Sequence, residues 1–177
     1  MRRRYTREWY LDRVARIRQA MPDCAITTDI IAGFCGETEQ DHQDTLDIMR
    51  RVKYDYAYMF QYSERPGTLA ARNYPDDITS QEKTRRLNEI IALQNELSLE
   101  SNKRDVGKTF KVLIEGTSRR NDEELCGRTT TDKMCEFPAL LATESNPADG
   151  RKFFNVGDYT TVKVLSCTSA TLICELV

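Results

Sequence analysis

Residues 29–41 read DIIAGFCGETEQD, and these residue types suit ligand binding at a turn. Gly33 and Gly36 let a ligand approach the backbone closely. Asp29 and Glu37 bring carboxylates that accept hydrogen bonds from hydroxyl or amino groups. Thr38-Glu39-Gln40-Asp41 is a capping-box pattern, and the helix it opens offers N–H donors and a partial positive charge. The same pattern also describes a plain strand-to-helix connection with no ligand. Next to it stands His42, the single histidine. As a general base it would need a Cys, Asp or His at relay spacing, and its step to Leu46 and Met49 puts it on a buried helix stripe instead.

Thiol chemistry is bounded by spacing. The six cysteines, at 24, 35, 126, 135, 167 and 174, are separated by 11, 91, 9, 32 and 7 positions. No CxxC or CxxxC pair occurs, so the chain has no local zinc or iron-sulfur motif. They are expected as reduced thiols that pack as small apolar side chains.

The elements that must position these residues follow from periodicity. Tyr10, Val14, Ile17 and Met21 recur at helical spacing before Pro22. A strand is predicted over 25–34, a helix from Thr38 with Leu46, Met49 and Val52 on one face, and a buried, aromatic-rich strand over 54–62. A turn at 63–68 and a loop at 73–77 lead to a long helix capped by Thr79-Ser80-Gln81-Glu82. It carries Leu87, Ile90, Ile91 and Leu97 and ends in polar residues 101–105. After Gly107 the period changes to two: Phe110, Val112 and Ile114, then Val162 and Val164, then Leu172, Cys174 and Leu176. The expected class is α/β plus all-β, with one domain over 1–105 and a small β-barrel over 106–177.

Composition is that of a globular chain: 177 residues, 40% apolar, 31% charged, net charge −2. No apolar run approaches the roughly 20 residues that cross a bilayer, and Met1 is followed by Arg-Arg-Arg-Tyr rather than a signal core, which predicts a cytoplasmic protein without a membrane partner. Charge is uneven. Residues 1–18 carry seven Arg against Glu8 and Asp12, whereas 37–64 hold seven acids against Arg50, Arg51 and Lys53. A polyanion would therefore meet a local patch, not the whole surface.

Four strings in order, RRYTREWY, TTDIIAGFCGET, QYSERPGTLAAR and CGRTTT, make the chain resemble the C-terminal half of a radical S-adenosylmethionine methylthiotransferase. The likeness is to the type that makes 2-methylthio-isopentenyladenosine next to the tRNA anticodon, and its tail resembles a TRAM domain, a small RNA-binding barrel. The resemblance implies that 1–105 is the C-terminal part of a radical S-adenosylmethionine partial (β/α) barrel with a long connecting helix. It implies that Asp29, Ile31, Gly33, Gly36 and Glu37 fall at the S-adenosylmethionine pocket, with Phe60 and Tyr62 beside the adenine. Two positions depart from the family: Cys35 stands where Pro is usual, and His42 where a large aromatic is. The N-terminal Arg run, Met1 included, corresponds to a mid-protein stretch in the family.

The resemblance also implies two [4Fe-4S] clusters, but a CxxxCxxC run is absent here, so no metal ligand and no catalytic residue is assigned to this chain. Alone, it is expected to be inactive and to need the N-terminal part of such an enzyme as a partner. The expected RNA partner is a tRNA anticodon stem-loop. Arg65 in Ser63-Glu64-Arg65-Pro66-Gly67-Thr68 suits phosphate, where a protein-modifying sibling tends to carry acids. In the barrel, nine Lys and Arg face ten acids. Lys108, Lys111, Arg119, Arg120, Arg128 and Lys133 cluster in its first half beside Phe110 and Phe137, which would stack on bases if exposed. Arg128 and Lys133 are the favoured phosphate contacts, although the alternating Phe and Val also read as barrel core and Arg119 and Arg120 as a solvated turn. The alternatives are a stand-alone RNA-binding or assembly module, and a methylthiotransferase for threonylcarbamoyl-adenosine tRNA or a ribosomal protein.

Overall fold

The computed structural model describes residues 4–138 and 154–177; Arg2 and Arg3 of the N-terminal Arg run, and Met1, lie outside the described residues. The chain divides into two compact units, residues 1–98 and 99–177.

In the first unit the helical periodicity becomes α1 (Arg7–Ala20), capped by Thr6, whose side chain accepts from the Trp9 N–H. It is followed by β1 (Thr27–Ala32), α2 (Glu39–Val52), β2 (Tyr56–Gln61), α3 (Leu69–Asn73) and the start of α4 (Ser80–Lys103). The α2 capping box forms as the sequence predicts: Thr38 accepts from the Asp41 N–H, and Asp41 accepts from the Thr38 N–H. At its other end Lys53 adopts the left-handed conformation, and Arg18 of α1 donates to the orphan Val52 and Lys53 carbonyls at 2.9 and 3.0 Å. Arg18 thus holds the two helices together. Arg7 also pairs with Asp44 and Asp47 of α2.

β1 and β2 pair in parallel, Thr27 opposite Tyr56 through Ala32 opposite Gln61. Alternation sends Ile30, Ala32, Ala57 and Met59 to the side covered by the helices, where Val14, Leu46, Met49, Val52, Ile90 and Leu97 form the core. The opposite side, Thr27, Asp29 and Ile31 with Tyr56, Tyr58 and Phe60, is exposed. This corrects the expectation of a buried aromatic strand: only Ala57 of β2 is buried, because helices cover one face of the sheet.

The second unit is a closed five-stranded barrel in the order β3 (Thr109–Thr117), β4 (Glu124–Thr129), β5 (Met134–Pro138), β7 (Leu172–Leu176), β6 (Tyr159–Cys167). The period-two residues Val112, Ile114, Val162, Val164, Leu172 and Cys174 fill it, each at most 3% exposed, together with Cys135 and Phe137. Bulges after Ile114 and Val164 bend β3 and β6 around this core. Gly127 lies where β4 crosses closest to β3: a Cβ there would sit 2.2 Å from the Leu113 carbonyl oxygen.

The last turn of α4 belongs to this unit. Ser101, Asn102 and Asp105, in the polar stretch expected to end the helix, are buried. Asn102 donates to the Thr168 and Ser169 carbonyls, and Asp105 accepts from Lys133 Nζ at 2.6 Å and Lys108 Nζ at 3.0 Å. Burial alone would raise the Asp105 pKa, but the two ammonium groups hold it below the usual carboxylate range.

Candidate functional site

The loop after β1 has a built interior. Gly33 (φ +75°) is buried under α4, and a Cβ on it would meet Lys83 Cγ at 2.4 Å. The Glu37 carboxylate turns back on the loop: Oε2 accepts from the Gly33 N–H at 3.0 Å and the Phe34 N–H at 3.4 Å, and Oε1 accepts from Arg86 Nη1 at 2.9 Å. Arg86 also donates to the Glu37 carbonyl at 2.8 Å. Gly36, exposed, donates its N–H to Asp77 at 2.8 Å, and Glu37 N–H reaches the Phe34 carbonyl.

The expectation of a free Glu37 acceptor is therefore corrected. The N–H groups of Gly33, Phe34, Gly36, Glu37, Thr38 and Asp41 are each satisfied within the chain. Glu37 staples the loop to α4.

Around this loop lies a charged layer that continues the buried stripe of α4. Lys83, its side chain 8% exposed, pairs with both oxygens of Asp76 and stands 5.2 Å from the Tyr62 ring centre. Phe34 meets Tyr62 edge-on at 5.0 Å. The Cys35 thiol and burial push the Tyr62 phenol up to about 12. Arg85 bridges Glu39, Glu82 and Glu89, and its hydrogen bond to Glu82 draws that carboxyl down to about 2. His42, 1% exposed, lies on the packed stripe of α2, with Nε2 at 2.8 Å from Glu89 and Nδ1 without a partner among the described residues.

The signal for this layer was available in α4. Lys83, Arg86, Ile90, Gln94, Leu97, Ser98 and Ser101 share one helical stripe, so the cations continue the buried face toward the strand ends.

The sequence-selected residues fall into two groups in this unit. Asp29, Ile31 and Phe60 share the uncovered sheet face, with Ile31 directly opposite Phe60 and Asp29 opposite Tyr58. Tyr56 and Tyr58, 47% and 52% exposed, stand on that face and were not selected. Gly33, Gly36, Glu37 and Tyr62 form the loop layer at the carboxyl end of the strands, where Tyr62 N–H continues the ladder to the Ala32 carbonyl. A pocket of about 350 Å³ lies elsewhere, lined by Tyr5, Thr6, Arg7, Tyr10, Thr28, Ile48 and Tyr54. Arg65 is exposed in the turn before α3.

In the barrel unit, Arg119 and Arg120 are exposed in the β3–β4 turn and Lys111 is exposed on β3. Arg128 is paired with Glu115 and Asp132, and Lys108 with Asp105. Lys133 is held inside by Asp105 and Ser101, its side chain 13% exposed, so the expected phosphate contact is instead a strut between β5 and the end of α4. Phe137 is core, and Phe110 packs against it rather than standing out to stack. Cys135 and Cys174 are buried as expected, whereas Cys24, Cys35, Cys126 and Cys167 are only half-buried. Among the described residues no group of three or more His, Cys, Asp or Glu side chains is placed to hold a metal ion, and no helix is long and apolar enough to cross a membrane.

Residues 103–177 match the family model of the TRAM domain, and the closed barrel is consistent with it. The chain is 52% identical to tRNA-2-methylthio-N(6)-dimethylallyladenosine synthase of Phocaeicola vulgatus over 172 residues, 97% of this chain and 35% of that protein. It is also 52% identical to the proteins of that name from Parabacteroides distasonis, over 99% of this chain and 36% of the relative, and from Porphyromonas gingivalis, over 100% and 36%. The chain is similar to these synthases over nearly its whole length, and it spans about a third of the length of the curated relatives it matches.

Proposed function

We propose that the chain serves as the cofactor-facing and tRNA-binding part of a methylthiotransferase that adds a methylthio group to isopentenyladenosine beside the anticodon. The observation that carries this reading is the one-sided sheet. Helices cover one face of β1–β2, and the other presents Asp29, Ile31, Tyr56, Tyr58 and Phe60 to solvent. In a (β/α) barrel one face of each strand packs on helices and the other lines the barrel. The first unit, residues 1–98, is accordingly read as part of a radical S-adenosylmethionine barrel, and the second, 99–177, as the RNA-binding TRAM barrel.

On this reading the residues fit the adenosyl part of S-adenosylmethionine: Phe60 and Ile31 offer apolar contact, and Asp29 a carboxylate for a hydroxyl or amino group. Gly33, Gly36 and Glu37 keep the strand mouth in shape, with Glu37 acting through the backbone. Tyr62 closes the layer beside them. The cofactor would supply the methyl group and the radical chemistry. A [4Fe-4S] cluster does not fit the donors of this chain, since its cysteines are too far apart in sequence for a three-thiolate loop, so no step is assigned through one. The tRNA anticodon stem-loop is the proposed partner through Arg65, Lys108, Lys111, Arg119, Arg120 and Arg128, in the cytoplasm where tRNA is modified.

A chimera tests the assignment. Replacing the matching third of the Phocaeicola vulgatus relative by this chain, in cells lacking the host enzyme, should restore methylthiolated tRNA by mass spectrometry, and Asp29→Asn with Phe60→Ala should abolish it. A folded chimera that binds S-adenosylmethionine normally despite both substitutions would overturn the placement of the pocket.

A further inference from the structure

We infer that the outer face of β3 and β6 is a stacking platform for single-stranded RNA, centred on Tyr159, a residue the sequence reading did not select. The inference deepens the tRNA-binding part of the reading above and rests on it.

Three cross-strand pairs build the surface: Thr109 with Lys163, Lys111 with Thr161, and Leu113 with Tyr159. Their neighbours Val112, Val162 and Val164 point inward and are at most 1% exposed, so alternation sends these six outward. Tyr159 is 60% exposed, and Lys111 Nζ stands 4.4 Å from its ring centre. Among the described residues no carboxylate pairs with Lys111, while Lys163 has only Glu175 at 3.8 Å. Arg128 adjoins the row, opposite Leu113 on β4.

An exposed ring flanked by a cation without a counter-charge suits a nucleobase attached to phosphate. Base stacking is stronger than an exposed cation–π contact, so an incoming base can displace the ammonium, which then turns to the phosphate. Thr109 and Thr161 place hydroxyl donors and acceptors along the same face. Unpaired bases are required, because in a duplex both ring faces are already stacked.

The test is fluorescence anisotropy of the whole chain with a labelled oligoadenylate of about ten nucleotides, at two salt concentrations, beside an RNA duplex of equal length. Tyr159→Ala and Tyr159→Leu should weaken single-strand binding by roughly 5- to 100-fold with little change in salt slope. Tyr159→Phe should bind like the parent. Lys111→Ala should weaken binding and lower the salt slope by about 1. Duplex binding should not respond to Tyr159→Leu. Unaltered single-strand affinity in both Tyr159→Ala and Tyr159→Leu overturns the platform while leaving tRNA binding intact. Absence of any RNA binding by the parent chain overturns both.

Discussion

Glu37 shows how a carboxylate in a glycine-rich mouth can look like a ligand group and act on the backbone. Its two oxygens meet Arg86 and the N–H groups of Gly33 and Phe34, with 6% and 14% side-chain exposure for Arg86 and Glu37. Arg86 keeps Glu82 at 2.9 Å, but Glu37→Ala leaves the Gly33 and Phe34 N–H groups without their acceptor, so it should cost about 1–3 kcal/mol. Urea denaturation reads this, and the Glu37→Ala/Arg86→Ala double variant should cost clearly less than the sum of the two. Gly33→Ala should also destabilise, since φ +75° disfavours a side chain and Lys83 fills its space. Glu82 sets an acid response. Arg85 draws its folded-state pKa to about 2 from an ordinary 4.5, so its stabilising contribution is complete above about 4.5 and disappears as pH falls through 2. Denaturation midpoints measured across that window should fall less steeply in Glu82→Gln.

At the scale of elements, α4 ends inside the barrel unit. Asn102, Asp105 and the Asp105–Lys133 pair tie its last turn to β5 and the β6–β7 turn. A chain beginning at residue 106 should consequently unfold at lower denaturant than one beginning at 99, by about 3–5 kcal/mol for the broken buried pair. Most elements were legible. Alternation of Val112, Ile114, Val162 and Val164 announced a barrel interior, and Thr38 with Asp41 announced a cap. What escaped was which faces are covered. Tyr56, Tyr58 and Phe60 have the composition of a buried strand, and nothing local tells a residue whether a helix lies over it. The buried end of α4 escaped for the same reason: Ser101, Asn102 and Asp105 are polar, and their partners lie near 133 and 168.

At the scale of the molecule, the same divide decides how much of the site was readable. Glycines and acids marked the mouth at 29–37, but their hydrogen bonds depend on Asp77 and Arg86, more than 40 positions away. Lys133 failed as a surface cation because Asp105 reaches it from another element. Anaerobic reconstitution of the chain alone with iron and sulfide should yield neither a [4Fe-4S] absorption band nor cleavage of S-adenosylmethionine, since no three-thiolate loop exists in its sequence. Either signal would refute the proposed division of labour.

The two-stranded sheet carries a last consequence. Among the described residues β1 and β2 ladder only with each other, so each ribbon keeps a flank of amide and carbonyl groups that another extended backbone could zip onto. Concentrating the protein should make it self-associate, visible as rising scattered light, and a proline at Asp29, where it blunts a flank, should suppress the rise.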